Sequence, residues 1–526
     1  MSEREPQEEV LAFLADPATH GGAAVKRIDT HAAIIFLAGA RVFKVKRAVR
    51  FPFLDYSTLD RRRQACEAEL RINRPLAAKI YRDVVAITRG PEGGLSLNDA
   101  GTPVEWAVEM RRFDENATLD HLAAAGRIDA DLADALGRAV VNAQEILGTK
   151  TAHAQSHPIA VEPARWIDAL AEYIEEHAAA FGAPDLFPPS QVDALANASR
   201  AAHARLRALL KERGERGFIR RIHGDLHLGN IVMLDGRPVL FDAIEFSDLI
   251  ASGDLLYDLA FLLMDLTERG LSPAACIVLN RYLLQTRRAE DLDALAALPF
   301  FLSMRAAIRA KVSAARLAYA APSERPAIEA TARKYFDFAC RFIAPPAPVL
   351  VAVAGLSGTG KSVLARALAP ALAPAPGAVV LRSDIERKAL FGKDEAERLP
   401  EHAYAAPVAA RVFATLADTA RRVLAAGHCA IVDAVFSKPH ERVLMQQSAA
   451  VLGVDFLGLF LEADLATRLA RVGRRGRDAS DADAAIARAQ ESYDLGPIAW
   501  TRIDASGTPA ETLARARAAL HDIQDA

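Results

Sequence analysis

The sequence predicts two folds on one chain, a mixed α+β region followed by an α/β region built on a parallel sheet. Three observations carry this. His223-Gly-Asp225-Leu-His-Leu-Gly-Asn230 with Asp242 beyond it, and Gly355-Leu-Ser357-Gly358-Thr359-Gly360-Lys361-Ser362 much later, are unrelated arrangements for holding a polyphosphate and a divalent cation. Between them, Ala344-Pro345-Pro346-Ala347-Pro348 is a stiff segment that cannot continue a helix. Across that segment the pattern changes from strands followed by helices to strands alternating with helices. At 526 residues the chain also exceeds one ordinary hydrophobic core.

The elements follow in order. Residues 1–24 form a polar, acidic N-terminal segment that leads into no apolar signal core. The first domain is expected over 25–343. In it, residues 32–37 and 41–46 read as strands joined by the turn Ala38-Gly39-Ala40, a hairpin. From Leu59 the chain becomes charged and helical in period, then returns to short apolar runs at 83–88 and 104–110. Helical patterning dominates from Leu119 to Arg220, so a β-rich lobe precedes an α-rich one. After the 344–348 linker, residues 349–526 give strand 349–354, the glycine loop, a helix from Lys361, and strands at 378–382, 429–433 and 456–461. That alternation predicts a parallel sheet covered on both faces.

Composition narrows the partners. Hydrophobic residues are 51% and charged residues 25%, a globular balance, and the net charge of −3 draws the chain to neither nucleic acid nor anionic membrane. Small-molecule partners are expected. Cys66, Cys276, Cys340 and Cys429 have no C-x-x-C spacing, which argues against a disulfide framework or a zinc knuckle and for a reducing cytoplasm. No uninterrupted apolar run of about 18 residues suggests a membrane span.

In His223-x-Asp225-x-x-x-x-Asn230, the aspartate can accept the proton of an acceptor hydroxyl while the asparagine oxygen turns back to a metal ion. Asp242 follows an apolar strand and can supply a second, harder ligand. Here the sequence resembles the aminoglycoside phosphotransferase and choline kinase group, a two-lobed protein-kinase-like fold, over roughly residues 25–340. The resemblance implies Asp225 as catalytic base, Asn230 and Asp242 on Mg2+, and His223 bracing the loop. It also implies Lys44 or Lys46 at the α/β-phosphates of ATP, paired with Glu69, and Met110 at the adenine hinge. Spacing does not separate the two lysines, since residues two apart on a strand face the same side; Lys44 is preferred. Glu245 departs from the family pattern, standing three residues after Asp242 where an acidic residue usually stands two after.

The second motif follows an apolar strand and opens a helix. Its glycines, with Ser357 and Thr359 between them, let backbone N–H groups approach phosphate oxygens; Lys361 reaches the β/γ-phosphates and Ser362 can ligate Mg2+. Asp384 and Arg387 follow the next strand and point to an acceptor site, and Asp433 ends an apolar strand as a Walker-B aspartate would. Arg471, Arg474 and Arg475 belong to an arginine run suited to a mobile lid over the transferring phosphoryl group. The region resembles the small P-loop kinases, the group containing gluconate and shikimate kinases, polynucleotide kinase and zeta toxin, over roughly 348–526. The whole chain resembles bacterial bifunctional fusions of an aminoglycoside phosphotransferase-like domain with a P-loop ATP-binding domain. That implies ATP- and Mg2+-dependent transfer of the γ-phosphate to small hydroxyl-bearing metabolites at two sites. Two other readings stay open: one active domain with the other a regulatory nucleotide sensor, and a nucleotide-gated binding protein without turnover.

Overall fold

A computed structural model describes residues 4–51, 54–148, 161–182, 186–474 and 479–524. Its contacts form two units, Met1–Tyr173 with Arg207–Asp265, and Ile174–Leu206 with Leu266–Ala526. The Pro-rich segment 344–348 therefore lies inside the second unit.

In the first unit a six-stranded antiparallel sheet is built from β1 (Val25–Asp29), β2 (Ala33–Ala38), β3 (Arg41–Lys46), β4 (Tyr81–Arg89), β5 (Leu95–Leu97) and β6 (Thr102–Arg111), in the order β1-β2-β3-β6-β4-β5. The β2–β3 hairpin turns at Gly39, whose φ of 57° is the left-handed conformation glycine adopts without strain. Strand alternation gives the sheet two different faces. Phe43 and Val45 pack with Phe36, Val85 and Ile87 against Val10 and Leu14 of an N-terminal helix, Arg4–Ala15. That helix was hidden in sequence by its polar start. The opposite face carries Val42, Lys44 and Lys46 toward the helix Leu59–Asn73, whose first turn is capped by the Thr58 hydroxyl accepting from Arg61 N–H. Two short antiparallel pairs, Ile219–Arg221 with Ser252–Asp254 and Ile231–Leu234 with Arg237–Leu240, bracket the His223–Asn230 loop.

The second unit contains a five-stranded parallel sheet of β7 (Val349–Gly355), β8 (Val379–Arg382), β9 (Ala430–Asp433), β10 (Asp455–Glu462) and β11 (Thr501–Asp504), ordered β8-β9-β7-β10-β11. All of β7 is buried, as a central parallel strand covered on both faces must be. Its core joins Val351, Val353, Leu364, Leu368, Ile431, Leu459 and Ile503, and Cys276 of the helix Ser272–Thr286 belongs to the same cluster. Beside it, the Asn280 side chain donates to the Ala378 carbonyl (3.0 Å) and accepts from Val380 N–H (2.7 Å). These are the outward-facing backbone groups of the edge strand β8, so one asparagine amide occupies the place of a residue on a sixth strand. Arg281 pairs with Glu395 close by. All four cysteines are free. No helix among the described residues is long and apolar enough to cross a membrane.

His428, fully buried before β9, donates from Nε2 to the Gly377 carbonyl at 2.9 Å, while its Nδ1 has no hydrogen-bond partner among the described residues. Burial pushes its pKa down to about 4. Below the ordinary value of about 6.5 the unfolded chain takes up a proton that the folded one refuses. The stabilisation is therefore complete above that pH and lost as pH falls toward 4, at roughly 1.4 kcal/mol per unit. Urea unfolding of the second unit is expected to show the wild type losing about 2 kcal/mol more than His428→Gln between pH 7 and 5. Equal losses would mean the ring accepts a proton in the fold.

Candidate active sites

In the first unit both lysines of β3 converge on one carboxylate. Lys44 Nζ lies 2.8 Å from Glu69 Oε1, and Lys46 Nζ lies 2.5 Å from Glu69 Oε2, with Glu69 wholly buried. Their further partners separate them. Lys44 reaches Asp242 Oδ1 at 2.6 Å, whereas Lys46 pairs with Glu245, which also accepts from the Tyr56 hydroxyl at 3.1 Å. Glu245 thus pairs with the second lysine as Asp242 does with the first. Burial alone would lower the Lys44 pKa, but Asp242 and Glu69 override it and hold the ammonium well above its ordinary range. Burial would likewise raise Glu69, and the two lysines instead hold it well below the usual carboxylate range.

The His223–Asn230 loop is anchored by carboxylates the sequence reading did not single out. Asp258 accepts the backbone N–H groups of His223 (3.1 Å) and Gly224 (3.0 Å), and Asp265 accepts that of Leu228 (2.9 Å). Both stand on the helix Leu255–Glu268, seven residues apart in an otherwise apolar stretch. That isolated pair of acids was the available signal. His223 donates from Nε2 to the Phe241 carbonyl at 2.9 Å, and burial lowers its pKa, so it is a neutral brace. Asn230 donates to the Asp225 carbonyl (2.9 Å) and carboxylate (3.1 Å), which ties the expected base to the expected metal ligand.

Exposure divides these groups by task. The side chains of Asp225 and Asp242 are 40% and 39% exposed, while His223 and Asp258 are buried. Asp242 has φ 61°, a left-handed conformation that costs a non-glycine residue roughly 1–3 kcal/mol. Its surroundings enforce that shape: Asp242 N–H donates to the Tyr81 hydroxyl at 3.2 Å, and Ala243 is bound in both directions by Asn73 at 2.7 and 3.0 Å. Met110 is paired on both sides, to Val42 and Tyr81. The chain leaves the ladder two residues later, where Phe113 meets Phe241 edge-on at 5.3 Å beside Ile35 and Val42.

In the second unit the glycine loop joins β7 to the helix Lys361–Leu368. Gly355 (φ 137°) and Gly358 (φ 88°) are required by space as well as conformation, because a Cβ would come within 2.6 Å of the Leu461 and Arg468 carbonyls respectively. Gly360 (φ 96°) faces open space where the helix starts, so first-turn N–H groups meet the mouth of the loop. Lys361 Nζ donates to the Leu356 carbonyl at 3.1 Å, Thr359 caps the same carbonyl at 2.8 Å, and Ser357 N–H donates to Gln490 at 2.7 Å. Ser362 and Asp433 are bridged by one guanidinium: Arg382 donates to Ser362 Oγ at 3.1 Å and to Asp433 Oδ2 at 3.2 Å.

Asp384 and Arg387 lie on the helix Ser383–Leu390 directly after β8. Burial and then the nearby Asp433 raise the Asp384 pKa. Arg387 donates to the Ala403 carbonyl at 2.8 Å and lies over the Tyr404 ring at 5.0 Å, and its buried Nε has no hydrogen-bond partner among the described residues. Two arginines of the run turn inward. Arg468, fully buried on the helix Leu465–Gly473, donates to the Ser357 carbonyl at 2.9 Å, and Arg471 donates to the Ala505 and Gly507 carbonyls at 2.8 and 2.7 Å. Arg468 therefore braces the glycine loop, and Arg471 the segment after β11. Arg474 is exposed at the helix end, and Arg475 lies outside the described residues.

Comparison with known proteins places a family match on part of each unit, the first beginning after Lys44 and Lys46. Residues 55–298 match the phosphotransferase enzyme family and residues 350–495 match an AAA domain. An uncharacterized protein of Mycobacterium tuberculosis is 28% identical over 489 residues, covering 91% of this chain and 92% of that protein. Among solved structures, a choline/ethanolamine kinase family protein from Mesorhizobium loti covers 64% of this chain and 99% of its own at 15% identity and TM-score 0.36. An APS kinase from Mycobacterium tuberculosis in complex with AMPPNP and APS covers 34% of this chain and 99% of its own at 24% identity and TM-score 0.26.

Proposed function

We propose, for a chain that joins a kinase-like phosphotransferase domain to a P-loop kinase domain, that each site transfers the γ-phosphoryl group of ATP to a hydroxyl of a small metabolite. The observation that carries this reading is the pairing, in the first unit, of an exposed Asp225 tied to Asn230 with a Lys44 shared between Glu69 and Asp242. The donor sets fit the expected groups. Asn230 and Asp242 offer hard oxygens to Mg2+, Ser362 and Asp433 do so in the second unit, and the glycine loop keeps a path that a Cβ at Gly355 or Gly358 would force away from the Leu461 and Arg468 backbone. Mg-ATP, when bound, supplies the phosphoryl group and the positive charge that screens it.

The chain's own residues divide the remaining work. Asp225 takes the proton of the acceptor hydroxyl at its carboxylate, and Asn230 fixes where that carboxylate points. Lys44 orients phosphate oxygens, with Glu69 holding it extended. In the second unit Lys361 and the first-turn N–H groups hold phosphates, while Asp384 and Arg387 receive the acceptor. The unpartnered Nε of Arg387 is a buried donor suited to an anionic or strongly polar acceptor group.

The test uses the full chain. ATP consumption is measured against a library of hydroxyl-bearing metabolites for the wild type, Asp225→Ala and Lys361→Ala. Each variant is expected to abolish turnover of its own acceptor and spare the other's. Loss of all acceptor-dependent turnover in one variant alone would favour one active domain with a nucleotide sensor. Tight ATP binding without consumption for any acceptor would favour the gated binding protein.

A further inference from the structure

Between Ser362 and Asp433, the two residues suited to a divalent cation in the P-loop domain, stands a side chain. Arg382 is the last residue of β8 and lies in register with Asp433, the last of β9. From that position its guanidinium crosses to the first turn of the P-loop helix, binding Asp433 through Nε and Ser362 through Nη2 at 3.2 and 3.1 Å. It is 8% exposed. Asp384 and Lys361 act electrostatically on the same centre, so two carboxylates and two cations face one another there. We propose that Arg382 is a resident cation of the P-loop site: it holds Ser362 and Asp433 until a divalent ion replaces it, and it supports nucleotide phosphates when no metal is bound. This rests on the reading that the P-loop binds nucleotide.

Three physical points support the assignment. Arginine stays protonated at every accessible pH, so a divalent ion approaching Ser362 and Asp433 must displace this charge or meet its repulsion. The guanidinium's planar fork matches phosphate oxygens as well as carboxylates, so the group that fills the gap can turn to a nucleotide without leaving the site. Finally, a buried guanidinium is retained only where specific partners compensate its desolvation, and two of those partners here are the expected metal ligands themselves. A residue that served only to hold β9 in place would need Asp433 alone.

The consequence is a P-loop site with a weak dependence on Mg2+. Calorimetry with a nonhydrolysable ATP analogue on the full chain reads this directly, with the P-loop isotherm identified as the one that Lys361→Ala removes. In chelator, Arg382→Gln is expected to weaken that isotherm about 10–100-fold and, on titration of Mg2+, to move the midpoint to lower metal concentration. Arg382→Lys keeps the charge and is expected to retain most of the metal-free affinity. An unchanged metal-free affinity in Arg382→Gln, or a midpoint shifted to higher Mg2+, overturns the proposal. Should Arg382→Gln not fold, the wild type decides: metal-free binding more than about 100-fold weaker than binding with Mg2+ also overturns it. If no isotherm disappears in Lys361→Ala, the nucleotide reading of the P-loop falls first and this inference with it.

Discussion

Asp225→Ala is expected to slow phosphoryl transfer at the first site by about 10²–10⁴ while leaving nucleotide affinity nearly unchanged. The side chain is 40% exposed and is held by Asn230, not by the lysines of β3, so its loss touches the acceptor's proton and not the phosphate anchors. The loop should keep its shape, because Asn230 also donates to the Asp225 carbonyl and Asp258 and Asp265 hold the backbone on either side. Asp225→Asn is the sharper variant: it preserves volume and polarity and removes only the proton acceptor. Single-turnover transfer to an identified acceptor checks both. A wild-type rate in either would remove Asp225 from the chemistry and leave it a loop residue.

Glu69→Ala is expected to cost about 3–5 kcal/mol of stability in the first unit. One fully buried carboxylate accepts from two ammonium groups and sits between their like charges; deleting it removes both buried contacts and leaves Lys44 with Asp242 and Lys46 with Glu245 across an unfilled, desolvated gap. Glu69→Gln keeps the hydrogen-bonding shape without the charge and should fall between. A chain with two units does not unfold in a single step, so the measurement is amide hydrogen exchange in β3 and β6, where opening reports this core. A loss below about 1 kcal/mol would place the cluster in the regime of solvated surface pairs. Nucleotide affinity at the first site should fall as well, because Lys44 would follow Asp242 alone.

The strands were legible because buried parallel strands are continuous apolar runs: residues 349–354 and 456–461 are seen as Val349–Gly355 and Asp455–Glu462. Motif residues were legible because loops that hold phosphates need particular residue types at fixed spacing. Direction was not. Lys44 and Lys46 share a face of β3, and only the groups opposite them, Asp242 and Glu245, tell them apart. The arginine run shows the same limit, since charge counting could not foresee that Arg468 and Arg471 turn inward to backbone carbonyls. Nor could any local pattern announce Arg382, whose meaning depends on a register with β9 and a reach to Ser362. The helix Arg4–Ala15 escaped because residues 4–9 set no apolar period and Val10, Leu11, Phe13 and Leu14 are confined to its second half.

Asn280 has a consequence for inheritance. It lies inside the segment that matches the phosphotransferase family, yet its amide closes the edge of the sheet in the segment that matches the AAA domain. Recombination at the Pro-rich stretch would look clean on paper and would deliver a P-loop cassette with the Ala378 carbonyl and Val380 N–H bare on an open edge. Such an edge invites pairing with another copy of itself. Shuffling the two halves among other genes is thereby disfavoured, and substitutions in the helix Ser272–Thr286 answer to a sheet encoded a hundred codons downstream.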